Sequence, residues 1–198
     1  MSKRLFDLLF SLISVIFLLP LIIVLGISII LIDRQNPFFV QYRAGINSKK
    51  FKILKFKTMK FNNFQKKKSV TRLGRIIRFS KLDEILQLIN VINNDMSLIG
   101  PRPLYLEFSK FYKKKHLKRM SIKPGITGLA QIKLKDSTNW NRKFNFDVIY
   151  VKKCSWSLDI YILIKTISFV LRSIFFKDKR PLEDINYKDN FFLNYRND

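Results

Sequence analysis

Residues 80–103 read SKLDEILQLINVINNDMSLIGPRP: a polar start, an apolar periodic run and an arginine framed by two prolines. Leu82, Ile85, Leu86, Ile89 and Ile92 recur at helical spacing and predict one continuous helix. Asp83, Gln87, Asn90 and Asn94 fall on its second, polar face. Ser80 and Asp83 match the spacing of a capping box with Ser80 as N-cap. Asp83 then has two readings. It is an acidic residue of a first helical turn, complementing the macrodipole. Alternatively, it is a carboxylate kept ionised at a helix N-terminus that also favours phosphate. An ionised carboxylate is a competent nucleophile towards phosphorus. Arg102 lies between Pro101 and Pro103, which fix an extended backbone on either side. Such a frame suits a guanidinium that must meet a phosphate or carboxylate as a bidentate fork, or else a rigid connector with a solvated arginine. Further on, Lys123-Pro124-Gly125-Ile126-Thr127-Gly128 reads as a tight turn with glycine at positive φ. Its amides are either structural or part of a phosphate site.

Upstream, every charged side chain between Asp33 and Asp83 is Lys or Arg. From Phe38 to Met59, aromatic, aliphatic and basic residues alternate, as in Phe51-Lys52-Ile53-Leu54-Lys55-Phe56-Lys57. That pattern predicts a strand pair turning around Gly45-Ile46-Asn47, followed by a Lys-rich loop from Asn62 to Ser69. The basic run is a solvated face resting on anionic lipid, a phosphate-binding floor, or both.

At the N-terminus, Leu8 to Ile32 carry no charge. At about 1.5 Å per residue this makes a helix of roughly 38 Å, against a bilayer core of about 30 Å. It reads as membrane-inserting rather than as a core helix. It is too long for a signal-peptide core and is followed by no small-x-small cleavage site. Lys3 and Arg4 precede it and Arg34 and Arg43 follow, so it has no positive-inside asymmetry. Pro20 near its middle predicts a kink. A helix that enters, bends and returns accounts for both features; a tilted, kinked span is the alternative.

The 198 residues suffice for one domain with a modest core. Lys and Arg number 38 against 14 Asp and Glu, a net charge of +24. That surplus concerns partners: nucleic acid, an anionic membrane or a phosphorylated substrate. Cys154 and His116 are the only residues of their kinds, which excludes an intrachain disulfide and a Cys/His zinc site. A metal here would take oxygen ligands, which points to magnesium or manganese.

Five segments in order resemble the monotopic phosphoglycosyl transferases, bacterial sugar transferases that begin polyprenol-linked glycan assembly. They are KRLFD, FVQYRAGINSKKFKILKFKTM, RFSKLDEILQLINVINNDMSLIGPRP, KPGITGLAQ and FNFDVIYVKK, covering most of Lys3 to Lys153. The length resembles that of the minimal members. The resemblance implies that Asp83 attacks the β-phosphate of a UDP-sugar, releasing UMP, and that undecaprenyl phosphate then takes the phosphosugar from Asp83. It implies Glu84 as general base or positioning partner and Mg2+ (or Mn2+) near Asp83. It implies Arg102 as a phosphate contact, with Arg43, Lys55, Lys57 and Arg78 as further binding residues in matching basic segments. It also implies a re-entrant N-terminal helix in the bacterial inner membrane, with the catalytic part on the cytoplasmic face. Leu19 stands where many members have Ser before the helix proline, and Ile85-Leu86 where many have Pro.

In the C-terminal third, Leu104 to Arg119 reads as an amphipathic helix. Trp156 to Phe176 is apolar but broken by Asp159, Lys165 and Arg172, which suits an interfacial or a core helix better than a span. The expected fold is α+β and helix-rich: a re-entrant membrane helix, a small β-hairpin and interfacial amphipathic helices around one catalytic domain. Residues 1–34 form the membrane part, 35–176 the catalytic domain and 177–198 a polar tail. The expected partners are a UDP-sugar, undecaprenyl phosphate and an anionic phospholipid membrane, and a homo-oligomer is compatible with the sequence. A membrane-tethered nucleic-acid binder is the rival from charge alone. It has no use for Asp83-Glu84 beside a proline-framed arginine, so no nucleic acid is expected. A non-catalytic scaffold is the second rival.

Overall fold

The computed structural model describes residues 2–62, 67–134 and 139–175. The polar tail expected at 177–198 lies outside them, as does the middle of the Lys-rich loop. The first element, α1 (Lys3–Ser28), is capped by the Ser2 side chain and continues into a π-helical turn, Ile29–Asp33. The helix continues through Pro20. Arg34 then takes a left-handed conformation and ends the helix. Among the described residues this is the one helix long and apolar enough to cross a membrane, 31 residues from Lys3 to Asp33.

One stripe of α1 faces the rest of the protein: Asp7, Ser11, Val15, Leu18, Ile22, Leu25 and Ile29. The spacing is that of a single helical face, and it packs along the whole length. At the N-terminal end, Arg4 donates to the carbonyls of Val91 (2.6 Å) and Ile92 (2.9 Å). Asp7 accepts from Ser97 Oγ at 2.6 Å, and Lys3 pairs with Asp159. At the other end, Asp33 accepts from Thr71 Oγ1 at 2.7 Å. The opposite face carries exposed Ile13, Ile16, Phe17 (81%), Ile23, Val24 and Leu31.

The expected hairpin is present. Strands β1 (Phe38–Ala44) and β2 (Lys50–Phe56) pair antiparallel, with Phe39 opposite Lys55 and Arg43 opposite Phe51. The free edge of β2 is covered by one side chain. The Asn90 amide accepts from Leu54 N (3.0 Å) and donates to Lys52 O (2.7 Å), as a neighbouring strand would. A second antiparallel pair is formed by β3 (Met59–Asn62) and β4 (Lys67–Val70), so the two ends of the expected loop, Asn62 and Lys67 to Ser69, are strand. Polar, Lys-rich residues hide strand pairing because they show no apolar alternation.

Three further expectations are corrected. The helix expected from Leu82 to Ile92 is instead a 3-10 turn, Leu82–Glu84, and a short helix α3 (Gln87–Ile92). Ser80 does not N-cap it. Ser80 ends the preceding helix α2 (Arg72–Phe79), its hydroxyl donating to Ile76 O and Ile77 O. The Pro124-Gly125 turn is the start of a strand, β6 (Gly125–Thr127), parallel to β5 (Ser97–Ile99), and no described glycine has positive φ. Glycine is needed there for close approach: a Cβ on Gly125 would lie 2.0 Å from Gly100 N. Leu104 to Arg119 is not one helix but two 3-10 segments, Leu106–Phe111 and Lys114–Met120. Leu104, Phe108 and Tyr112 are nevertheless buried, as the apolar spacing required.

Helices α4 (Leu129–Lys133), α5 (Trp140–Lys153) and α6 (Trp156–Phe175) complete the body. The main core joins β2, α3, β5, α4, α5 and α6 through Phe51, Ile53, Leu88, Val91, Leu98, Ile99, Leu129, Tyr150 and Ile162. Phe6 of α1 meets Trp156 of α6 edge-on at 5.4 Å. The exposed face of α6 carries Ile160, Ile164, Ile167 and Leu171.

Candidate functional site

Helix α2 is held from both sides. Thr71 caps its start and ties it to Asp33, while Gly74 lies so close to Thr58 O that a Cβ would come within 2.2 Å. After α2, Lys81 adopts φ 60°, ψ 14°, reversing the chain. The next turn carries Asp83 and Glu84, with Asp83 9% exposed. The reversal, not a helix N-terminus, presents the dyad.

Glu84 Oε1 is shared by two cations from distant segments. Lys55 Nζ of β2 lies at 2.5 Å and Arg102 Nη2 at 3.0 Å. Burial raises the Glu84 carboxyl, but the Arg102 guanidinium and the Lys55 ammonium outweigh it and hold the group well below the usual carboxylate range. Asp83 has the opposite balance. Burial and then the Glu84 charge push it up to about 6, against the pull of Lys55, Lys81 and Arg78. Its carboxylate accepts no hydrogen bond among the described residues.

Arg78 Nε donates to the buried Thr58 Oγ1 at 2.7 Å, while its buried Nη1 has no hydrogen-bond partner. Asp83, Glu84, Lys55, Arg78 and Arg102 thus stand together. Arg43 stands one step away. Its guanidinium lies over the Tyr105 ring, 3.7 Å from the centroid, and donates to Gln41 Oε1 at 2.8 Å. Lys57 is not brought in: it follows β2, its backbone N–H donates to Pro37 O, and its ammonium makes no contact with the dyad.

The Arg102 loop is locked backbone to backbone. Gly125 N donates to Pro101 O at 3.0 Å and Gly100 N to Thr127 O at 2.9 Å. Sequence reasoning missed Lys81 as a fourth cation, Thr58 and Arg119. Arg119 Nη2 donates to Arg102 O at 2.7 Å. Among so many lysines and arginines nothing local marks Arg119.

A magnesium ion suits what is present. No group of three His, Cys, Asp or Glu exists among the described residues. Magnesium, however, commonly takes one or two carboxylates with substrate phosphates and water, and the Asp83 carboxylate is the uncommitted one. Chemically, the site offers a buried carboxylate in a cationic surround, suited to a phosphorus centre whose charge must be neutralised.

A family profile described as bacterial sugar transferase matches residues 1–173. An uncharacterised sugar transferase, EpsL, of Bacillus subtilis (strain 168) is 41% identical over 86% of this chain and 88% of its own length. A UDP-galactose-lipid carrier transferase of Erwinia amylovora is 35% identical over 86% of this chain but only 40% of its own length. A UDP-glucose:undecaprenyl-phosphate glucose-1-phosphate transferase of Xanthomonas campestris pv. campestris is 29% identical, over 86% of the chain and 39% of its own. The chain thus spans well under half of these last two relatives, and nearly all of the first. With the dyad, the proline-framed arginine and the apolar helix inside the matched residues, this chain belongs to the bacterial sugar transferase family.

Proposed function

We propose that the protein transfers a phosphosugar from a UDP-sugar to undecaprenyl phosphate, in two steps through Asp83. A carboxylate oxygen of Asp83 attacks the β-phosphorus of the donor. The bond from that phosphorus to the bridging oxygen breaks, and UMP leaves with the electron pair. A phosphate oxygen of undecaprenyl phosphate then attacks the phosphorus of the aspartyl phosphosugar. The phosphorus–Asp83 bond breaks, which regenerates the carboxylate and gives undecaprenyl-diphosphate-sugar. Neither step needs a proton removed, so Glu84 works as a positioning partner for Lys55 and Arg102. A carboxyl held so low is no proton acceptor at neutral pH. Lys55, Arg78 and Arg102 receive the diphosphate and offset the charge gathering on UMP. Magnesium, held by Asp83, would supply further neutralisation of the diphosphate.

The observation that carries this reading is the buried, hydrogen-bond-free Asp83 facing Lys55, Lys81 and Arg78. The relatives named as acting between UDP-sugars and undecaprenyl phosphate support the substrate classes. The apolar helix supports a place in the bacterial inner membrane, where the lipid acceptor is concentrated, with the catalytic part on the cytoplasmic face.

The test uses detergent-solubilised full-length protein, magnesium and a panel of UDP-sugars. With undecaprenyl phosphate, one or more donors yield UMP catalytically. Without it, UMP appears in at most one equivalent, with a phosphosugar retained on the protein. Asp83→Asn loses turnover by roughly 10⁴-fold. Turnover unchanged in Asp83→Asn would remove the covalent step, and silence across the whole panel would remove the reaction.

A further inference from the structure

We infer that Arg119 is a positioning residue for Arg102: anchored on Asp147 and Tyr112, its guanidinium holds the Arg102 carbonyl and so aims the Arg102 side chain at Glu84. The inference rests on the proposed transfer for its kinetic consequence, but not for its geometry.

Arg119 is 3% exposed and far from solvent. Its Nε donates to Asp147 Oδ2 at 2.9 Å, its Nη1 to Tyr112 Oη at 2.8 Å and its Nη2 to Arg102 O at 2.7 Å. The rings of Tyr112 and Phe144 lie 5.3 Å and 5.1 Å from its central carbon. Every direction of the fork is therefore used, and the side chain has one orientation. A buried ion pair is a weak device for stability, since apolar residues of similar volume commonly do as well. Here the pair has a directional product, a donor aimed at one peptide carbonyl.

That carbonyl matters because Pro101 and Pro103 have no N–H. The loop is gripped through acceptors: Pro101 O by Gly125 N, and Arg102 O by Arg119. The first grip comes from the β5–β6 ladder and the second from the α5 side, through Asp147. Between them they set the backbone from which the Arg102 guanidinium reaches Glu84 Oε1 at 3.0 Å. Loss of the second grip frees Arg102 to turn about its own backbone, and displacements near 1 Å at such sites cost about 10²-fold in rate.

The experiment is a double-mutant cycle in the full-length detergent-solubilised enzyme, with Arg119→Lys and Arg102→Ala, reading kcat and KM for the UDP-sugar. Lysine keeps a charge for Asp147 but cannot hold Asp147 and the carbonyl as one rigid fork. Arg119→Lys alone is expected to lower kcat by roughly 10- to 100-fold. In the Arg102→Ala background it is expected to cost less than about twofold, because the group it positions is gone. Equal costs in both backgrounds, or wild-type kcat in Arg119→Lys, overturn the inference. If Arg119→Lys does not fold, Tyr112→Phe enters the same cycle, removing one hydroxyl that fixes Nη1, under the same two criteria. Amide hydrogen exchange reads the geometry without turnover. Exchange at Ala44, whose N–H donates to Leu104 O at 2.9 Å, is expected to rise in Arg119→Lys while Ser97 to Ile99 stay unchanged, and unaltered exchange at Ala44 overturns the positioning role. A wild-type protein that releases no UMP sinks the proposed reaction instead, and leaves the exchange result to decide this one.

Discussion

Adjacent in sequence, Asp83 and Glu84 are driven in opposite directions by one cluster of charges. Lys55 and Arg102 pair with Glu84, whereas at Asp83 burial and Glu84's negative charge outweigh the pull of Lys55, Lys81 and Arg78, and its carboxyl rises to about 6. In the proposed transfer, Asp83 attacks only when ionised. We therefore expect kcat/KM for the donor to fall tenfold per pH unit below about pH 6, the free enzyme's acid limb. Glu84→Gln removes a charge that raises Asp83 and releases two cations towards it. Its acid limb moves to lower pH even as kcat falls; a limb that stayed put would dissociate it from Asp83. The same shift bears on stability. A carboxyl raised on folding binds its proton more tightly in the folded state, so ionised Asp83 opposes folding above its folded value and costs nothing below its unfolded one. Asp83→Asn should thus be the more stable protein at pH 7.5, by on the order of 1–3 kcal/mol, with the advantage vanishing as pH falls from 6 to 4. Thermal melts across that range check it. Glu84 has the reverse sign: its pairing stabilises above the ordinary carboxylate range and is lost as pH falls through its depressed folded value.

The elements that present these residues were partly legible. Aromatic and basic alternation exposed the β1–β2 hairpin, and two prolines exposed the rigid Arg102 loop, because both signals are local. The break between α2 and α3 was not. Apolar periodicity runs across it, and a left-handed lysine leaves no trace in that pattern. The β5–β6 pair was hidden for another reason, since Ser97–Ile99 and Gly125–Thr127 meet only in the folded chain. Two variants test these elements. Lys81→Gly removes the left-handed strain of a side chain, offset in part by the freer unfolded chain, for a gain of about 1 kcal/mol. It also removes a cation that lowers Asp83, so the acid limb should move to higher pH while the melting temperature rises. A fall in melting temperature would contradict the strain argument. Gly125→Ala, in contrast, drives a methyl into Gly100 N and Thr127 O, backbone atoms that cannot move independently. It should open the β5–β6 contact, destabilise by several kcal/mol and lower activity through Arg102. Chemical denaturation beside the wild type gives the value.

At the scale of the molecule, the decisive feature is how α1 lies on the body. A straight 31-residue helix is roughly 46 Å long, ample for a bilayer. Yet its inward stripe packs on the domain from Asp7 to Ile29, and polar contacts fasten both ends: Arg4 to the end of α3, Asp7 to Ser97, Asp33 to Thr71. A helix crossing the membrane would have to leave Arg4, Asp7 or Asp33 without these partners or carry α3, β5 and α6 into hydrocarbon, where exposed backbone and charge are costly. With α1 seated lengthwise on the body, its outer side from Ile13 to Leu31 is exposed and apolar, like Ile160, Ile164 and Ile167 of α6. The re-entrant expectation at Pro20 then becomes less important than the two anchored ends. We expect residue 2 and the exposed Cys154 to face the same side of the membrane. A single-cysteine comparison decides it in intact cells and in inverted vesicles: native Cys154, and Ser2→Cys combined with Cys154→Ser, each treated with a membrane-impermeant maleimide. Both should label in inverted vesicles and neither in intact cells. Labelling of residue 2 from outside, with Cys154 protected, would mean that α1 spans and that its polar anchors at Arg4 and Asp7 do not hold in the membrane.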